Sequence, residues 1–549
     1  MKQTHLKIIR VILALLSFIS FGFIFLDFRE IFNSQFYAGI TFLQFVPSLI
    51  KSLTVFSLAS SGFIVIIVLT SLFGRVYCST ICPLGIMQDI VSWIRKKTIK
   101  LRKTKRKIHR YKYRKPDHYW RYGFLALPII LFLVGGNLIG IYLLDPYSIF
   151  GRIFSNFGQP VIMWCNNQLS TLLESMDVYL LYPEDIIKAG ALDYVIPSLM
   201  LIIIVWFSFT RGRLYCNMIC PVGTLLGLFS RISIFKIKML DSHCTKCGKC
   251  AAVCKASCID VKHLDVDFSR CVGCLNCVAV CPEGAIKYLP SLPNFSLQKT
   301  PEPSESMAAR ESMTLDRRNA VVKLFAGFVA LTGLPVKVFS QKSENGTQVP
   351  AKIVNKIPTK IEPVKQFPVT PPGSLGIKHF TNRCTACHLC VSACPTGVLQ
   401  PSFREYGFAG VLQPHMDYST KYCNFDCTRC SEICPSGAIL SLAAESKKLT
   451  QIGKVNFIRE NCIVQAEEKA CGSCSEHCPT QAVTMVPYKG NLTIPEIKPE
   501  ICVGCGACEY ACPVKPYKAI YIDGNDVHQV AKKPEIKELE KIEMEDFPF

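Results

Sequence analysis

CVGCLNCVAVCP, residues 271–282, carries the spacing Cys-x2-Cys-x2-Cys-x3-Cys-Pro. A tight loop of this kind supplies three thiolates to one 4Fe–4S cluster, and its fourth cysteine crosses to a neighbouring cluster. A partner run with the same intervals lies just upstream at Cys244, Cys247, Cys250 and Cys254. Crossing then groups Cys244, Cys247, Cys250 and Cys281 around one cluster, and Cys271, Cys274, Cys277 and Cys254 around the other. Cys254 is followed by Lys255 instead of proline, and Cys258 stands close behind, so Cys254 and Cys258 both remain open as the crossing ligand. Cys-x2-Cys pairs also suit zinc. Four evenly spaced cysteines, twice over, favour iron–sulfur.

Before this pair of runs the chain is apolar. The 549 residues are 50% hydrophobic and 19% charged, with a net charge of +21 and a mean hydropathy of +0.27. That excludes a disordered chain and is high for one soluble enzyme; at roughly 150 residues per domain it suggests about three to four units. Residues 11–26, 52–74, 122–144 and 194–210 are free of charge. Each approaches the ~20 apolar residues that a helical span requires. The first has the basic start of a signal peptide but no small-x-small cleavage site, and further spans follow, so it reads as an anchor. Residues 153–173 are also uncharged, but Ser155, Asn156, Gln159, Asn166 and Asn167 make them an interfacial or re-entrant segment. Cys165 within it reads as a packing residue.

Basic residues precede the first span and follow the second and fourth; residues 95–115 alone hold thirteen Lys or Arg and no acid. Beside an apolar run such a block is a cytoplasmic membrane flank, not a nucleic-acid site. Both ends of the four-span unit therefore face the cytoplasm. Within this unit GRVYCSTICPLG at 74–85 recurs as GRLYCNMICPVG at 212–223, a shift of 138 residues. Duplicated membrane units commonly build a site at the repeat interface. The repeat pairs Cys78 and Cys82 with Cys216 and Cys220, and soft thiolates select iron–sulfur, zinc or copper(I). One cluster shared across the repeat, or redox dithiols, both fit, and so does plain packing of small cysteines at helix ends.

Downstream, residues 291–316 form a Pro-, Ser- and Glu-rich linker. Residues 317–336 open with Arg317 and Arg318 before an apolar run, the outline of a twin-arginine export signal or of an ordinary anchor. Residues 337–374 are a second linker. Sixteen cysteines then fall in four groups: Cys384, Cys387, Cys390, Cys394; Cys423, Cys427, Cys430, Cys434; Cys462, Cys471, Cys474, Cys478; and Cys502, Cys505, Cys508, Cys512. Each group ends in Cys-Pro, a regularity that a disulfide scaffold does not require. CTACH at 384–388 matches a c-type haem motif, but Cys390 and Cys394 extend it into a ferredoxin run. Residues 531–549 are an acidic tail that is solvated or docks a basic partner.

Residues 1–290, with four spans, two Cys-x3-Cys-Pro motifs and a two-cluster ferredoxin module, resemble the NapH family of membrane quinol-oxidising subunits. Residues 316–530 resemble the exported four-cluster NapG family, so the chain looks like a fusion of the two. Related membrane modules occur in NosR and CcoG. The resemblance implies a membrane all-α four-span unit (1–239), a fifth signal or anchor segment, and two α+β bacterial-type ferredoxin domains, one cytoplasmic (240–290) and one exported (375–530). It also implies that the first and fourth C-terminal groups exchange their last cysteines, as do the second and third: Cys512 with the first group, Cys394 with the fourth, Cys478 with the second and Cys434 with the third.

The expected function is that of a multi-pass protein of the bacterial cytoplasmic membrane. It draws electrons from menaquinol in the quinone pool and passes them over six 4Fe–4S clusters, with a further centre at the Cys-x3-Cys-Pro pairs, to an exported terminal reductase such as a nitrate reductase, or to that reductase's carrier. No molybdopterin, haem or flavin motif appears, so terminal catalysis is expected on a partner. Asp145 and Tyr147 are the weak quinone-site candidates, with Asp27 and Glu30 behind them; each could equally cap a helix end. A redox maturation or regulatory protein and a conduit without its own quinone site are the alternatives.

Overall fold

The computed structural model describes residues 3–54, 61–101, 111–136, 138–186, 190–290 and 360–533. The expected linkers up to residue 359, the twin-arginine-like segment and the tail from 534 onward lie outside these residues. The first apolar stretch is one helix, Gln3–Leu26, of 24 residues. At 1.5 Å per residue it is about 36 Å long, enough to cross a hydrocarbon core. Ile8, Ile12, Leu16 and Ile19 are exposed, while Phe21, Ile24 and Phe25 are buried.

Among the described residues, three helices are long and apolar enough to span: His5–Leu26, His118–Gly135 and Asp193–Arg211. The count reaches four only if Ser34–Phe42 and Phe45–Leu53, bent by 103° at their break, are taken as one span. The stretch 52–74 is therefore not the long helix expected: its described part contains the 12-residue helix Gly62–Phe73, about 18 Å long and too short to cross alone. The stretch 122–144 is interrupted too. The helix His118–Gly135 ends on Gly136 in the left-handed region, and a second short helix, Ile139–Leu144, follows. The polar stretch at 153–173 is helical, with Pro146–Ile153 running through a π turn at Phe154–Gly158 into Gln159–Glu174. Cys165 is exposed near Val161, Ile162 and Trp164, not packed inside as expected.

Both cysteine motifs follow a sharp reversal. Gly74 and Gly212 cap their helices at φ 75° and 71°, a conformation open to glycine without a Cβ penalty. The chain then folds back into the unit as Tyr77–Thr80 and Pro83–Leu101, and again as Tyr215–Ile219 and Pro221–Phe229. Cys78, Cys82, Cys216 and Cys220 are buried as a result.

Each ferredoxin module pairs short helices with two-stranded antiparallel sheets. In the first, Phe235–Met239 pairs with Ile286–Pro290 and Ile259–Asp260 with Asp265–Val266. The outer strand pair brings residues before 240 into this module, ahead of the expected boundary. In the second, Thr450–Phe457 pairs with Ile520–Val530, Leu399–Pro401 with Pro414–Met416, and Val483–Pro487 with Thr493–Ile497. Residues 360–374, expected as linker, pack onto this module: the Ile361 amide donates to Asn461 Oδ1 (2.8 Å) and the Gly524 amide to the Phe367 carbonyl (3.0 Å).

Candidate metal centres

Every ferredoxin-type group places its third cysteine in a short helix: Cys250 in Lys249–Val253, Cys277 in Asn276–Val280, Cys390 in Leu389–Ser392, Cys430 in Arg429–Ile433, Cys474 in Ser473–Glu476 and Cys508 in Ala507–Ala511. In the four regular groups the residues two and four after the first cysteine adopt positive φ: Lys246 and Gly248, Gly273 and Leu275, Ala386 and His388, Gly504 and Gly506. Alternating right- and left-handed residues turn successive amides toward one concave centre, the geometry of an anion nest. The Ala386 amide accordingly points at Cys384 Sγ (3.4 Å) and the Gly504 amide at Cys502 Sγ (3.3 Å). The irregular second and third groups lack this pattern between their cysteines.

In the first module Cys244, Cys247, Cys250 and Cys281 line one small cavity. Cys271, Cys274 and Cys277 line a second, together with Cys254 and Cys258. These are the two groupings read from the spacing. Cys254 Sγ and Cys258 Sγ lie 3.6 Å apart. Either thiol could be the donor in this contact. The structure brings both candidates for the crossing ligand to the second cavity.

The C-terminal module corrects the exchange that the resemblance implied. Cys462, Cys471 and Cys474 share a cavity with Cys512, not Cys434. Burial pushes Cys387 up to about 12, with Cys434 among its charged neighbours. Burial does the same to Cys423, beside Cys394, and to Cys505, beside Cys502 and Cys478. The first and second groups therefore exchange their last cysteines, as do the third and fourth. The reason is local: a hairpin return brings adjacent groups together, whereas first-to-fourth pairing needs a longer closure. Thiols this buried stay protonated alone and are held deprotonated by a coordinated metal. Together with the amide nests, the donor set fits iron–sulfur cores. Among the described residues no three His, Cys, Asp or Glu side chains converge on a single-ion site. His388, the potential haem ligand, is fully buried with Nε2 donating to the Leu412 carbonyl (2.9 Å).

Cys78, Cys82, Cys216 and Cys220 come together across the repeat. Cys82 lies within electrostatic range of Cys78 and Cys216, and Cys220 within range of the other three. Two arginines lock the halves reciprocally. Arg75 Nη2 donates to the Cys216 carbonyl (3.0 Å) and Arg213 Nη1 to the Cys78 carbonyl (2.7 Å). Each also approaches the thiol of its own half at 3.8 Å, Arg75 at Cys78 and Arg213 at Cys216. Buried guanidinium groups need such partners; Arg213 further holds Asp89 (2.9 Å), which Arg10 (2.6 Å) and Lys255 (3.1 Å) share. Sequence reading found the recurrence of these arginines but not their exchange, and it missed Asp89.

The quartet is continuous with both ferredoxin modules. One buried cluster contains Cys274, all four repeat cysteines and Cys387. Toward the second module, Tyr215 Oη donates to the Leu144 carbonyl (2.8 Å). Asp145 is next, accepting from the Ser148 amide (2.9 Å) and Ser148 Oγ (2.7 Å) as the N-cap of Pro146–Ile153. Burial raises its carboxyl to about 6 against these hydrogen bonds and Arg152. Tyr147 is 1% exposed, and its hydroxyl has no hydrogen-bond partner among the described residues. Asp27 serves as a dock: it accepts from Tyr37 Oη (3.0 Å) and lies 3.7 Å from Arg429, whose Nη2 also donates to the Phe32 carbonyl (2.9 Å). Glu30 takes positive φ (55°) and is exposed.

Models of known families match in three places. A 4Fe-4S binding domain model covers 56–102 and again 192–239, the two repeat halves. A 4Fe-4S dicluster domain model covers 383–438 and 469–515, joining the first group to the second and the third to the fourth. A further 4Fe-4S binding domain model covers 264–287. Among curated proteins, the ferredoxin-type protein NapF of Escherichia coli K12 is 27% identical over 154 residues, 28% of this chain and 85% of its own. The methylamine utilization ferredoxin-type protein MauM of Methylophilus methylotrophus is 32% identical over 26% of this chain and 65% of its own. The ferredoxin-type protein NapG of E. coli K12 is 28% identical over 26% of this chain and 64% of its own. No solved structure matches.

Proposed function

We propose that this NapG/NapH-like polyferredoxin is a membrane quinol dehydrogenase, taking electrons from menaquinol and delivering them to an exported reductase or its carrier. The observation that carries the reading is the single buried cluster running from Cys274 through Cys78, Cys82, Cys216 and Cys220 to Cys387. The six ferredoxin-type sets would hold six 4Fe–4S clusters and the quartet a seventh. When bound, each cluster takes up and releases one electron. The chain's own residues bind the centres, keep water out and fix their order.

The two modules meet opposite ends of the helix Gln3–Leu26. Leu6 packs with the module of Cys250 and Cys271, while Phe25 lies against Gly151, beside the Cys387 backbone. This arrangement supports residues 240–290 on the cytoplasmic side of a bacterial inner membrane and the C-terminal module outside it. Arg75 and Arg213 hold the two repeat halves at the quartet. Asp145, with its raised carboxyl, would accept a proton as quinol is oxidised, and Tyr147 lies within electrostatic range of both Asp145 and Cys387.

The near-complete burial of Asp145 and Tyr147 favours, as a second reading, a conduit fed by a cytoplasmic donor. Anaerobic, detergent-purified protein distinguishes them. Bleaching of cluster absorption by a menaquinol analogue is expected. Reduction by a cytoplasmic donor alone would assign the conduit, and quinol-independent reduction of copper(II) a maturation role.

A further inference from the structure

One cavity in the described residues is lined by none of the cysteines. It measures about 1040 Å³ and lies between the start of the span His118–Gly135, the end of the span Asp193–Arg211 and the first ferredoxin module. Its lining carries eight Lys or Arg side chains and one carboxylate, Asp117. Three of the arginines are deeply buried: Arg121 and Arg213 are 1% exposed and Arg270 is 6%. Each nevertheless keeps a nitrogen without a hydrogen-bond partner among the described residues: Arg121 Nε, Arg213 Nη2 and Arg270 Nη2.

The local carboxylates do not balance this charge. Arg213 and Lys255 share Asp89 with Arg10. Arg270 has Asp267, and Arg121 forms no ion pair among the described residues; it donates to the Ser269 hydroxyl (2.9 Å) and carbonyl (2.7 Å). Arg114 and Lys115 add exposed positive charge at the rim. Buried, unpaired guanidinium nitrogens are costly, and a basic concavity with low-dielectric walls concentrates anions.

We propose that this cavity binds a phosphate-bearing anion. Guanidinium forks match phosphate oxygens in geometry and charge. The volume is large for inorganic phosphate and reaches the upper end of ordinary ligand pockets. The position points to the headgroup of an anionic phospholipid. Basic pockets between membrane helices on the cytoplasmic side suit doubly charged headgroups, and Tyr119, Trp120 and Trp206 are exposed on the two flanking spans, as interfacial aromatics are. Acyl chains could leave between the spans while the phosphates meet Arg121, Arg213 and Arg270.

The test uses the full-length chain purified in detergent, with native mass spectrometry and thermal unfolding as readouts. The added probes are cardiolipin, phosphatidylcholine and inorganic pyrophosphate. Retention of cardiolipin and a raised unfolding midpoint, with no effect of phosphatidylcholine, are expected for a lipid source; a rise with pyrophosphate alone would assign the same site to a soluble phosphate. Arg121→Gln should lower the affinity at least tenfold. Arg114→Gln with Lys115→Gln, on exposed side chains that leave folding intact, should weaken binding and flatten its salt dependence. Binding of none of the probes, equal binding of phosphatidylcholine, or affinity unchanged in both variants overturns the proposal.

Discussion

Arg75 of the first repeat half donates to the carbonyl oxygen of Cys216 in the second, 3.0 Å away, and Arg213 returns the bond to Cys78. Neither arginine serves chiefly its own half. The exchange binds two motifs 138 residues apart in sequence into one buried site, and it depends on the space above both guanidinium groups. A Cβ on Gly85 would collide with the Cys78 carbonyl and lie 2.6 Å from Arg213 Nη1; one on Gly223 would collide with the Cys216 carbonyl and lie 2.8 Å from Arg75 Nη2.

Gly85→Ala and Gly223→Ala are therefore each expected to destabilise by about 1–3 kcal/mol, the range for overpacking. Thermal unfolding in detergent measures this. Gly39→Ala is the control, since nothing lies within 4 Å of a Cβ there; within the helix Ser34–Phe42 it should leave stability unchanged or raise it by up to ~1 kcal/mol.

Cysteine exchange makes a sharp spectroscopic prediction. Cys512→Ser should perturb the same electron paramagnetic resonance signal as Cys471→Ser, because Cys512 shares their cavity. Cys434→Ser should perturb the signal of Cys387→Ser. Matching effects of Cys512→Ser and Cys384→Ser would restore the exchange implied by resemblance.

In the first module, Cys254→Ser should abolish one cluster, while Cys258→Ser should retain it with an altered potential. Cys254 stands at the x3 interval that closes a ferredoxin run, and Cys258 lies four residues beyond it. Iron content and redox titration of the two variants decide it.

Asp145 gives a pH dependence. Burial raises its carboxyl to about 6, above the ordinary value near ~4. The folded state then holds its proton more tightly than the unfolded state. Its contribution favours folding below ~4 and is lost as pH rises through about 6. Proton acceptance needs the ionised form, so quinol oxidation should rise with pH through about 6. Asp145→Asn should lower the rate and flatten that profile.

The local parts of this architecture were legible in the sequence. Cys-x2-Cys-x2-Cys is a backbone instruction, and all four regular runs fold into the same loop with positive φ at the same two places. In the first module the cysteines gather in the two sets that the spacing suggests, with Cys258 beside the second. What escaped was tertiary. The pairing of Cys512 and Cys434 depends on which loops return together, and no interval records that. The stretch 52–74 is charge-free but contains a 12-residue helix, because lack of charge does not fix helix length. Nothing in the sequence marks Asp89, on which Arg10, Arg213 and Lys255 converge.

The central claim is that an iron centre at Cys78, Cys82, Cys216 and Cys220 joins the two ferredoxin modules. Iron and acid-labile sulfide, counted per chain in the wild type and in Cys82→Ala with Cys220→Ala, test it most directly. At four irons per cluster, the account predicts about 28 irons in the wild type and about four fewer in the variant. The variant should keep both modules' resonance signals and lose quinol-driven reduction between them. Equal iron in both proteins, or zinc or cystine in place of iron, would contradict it.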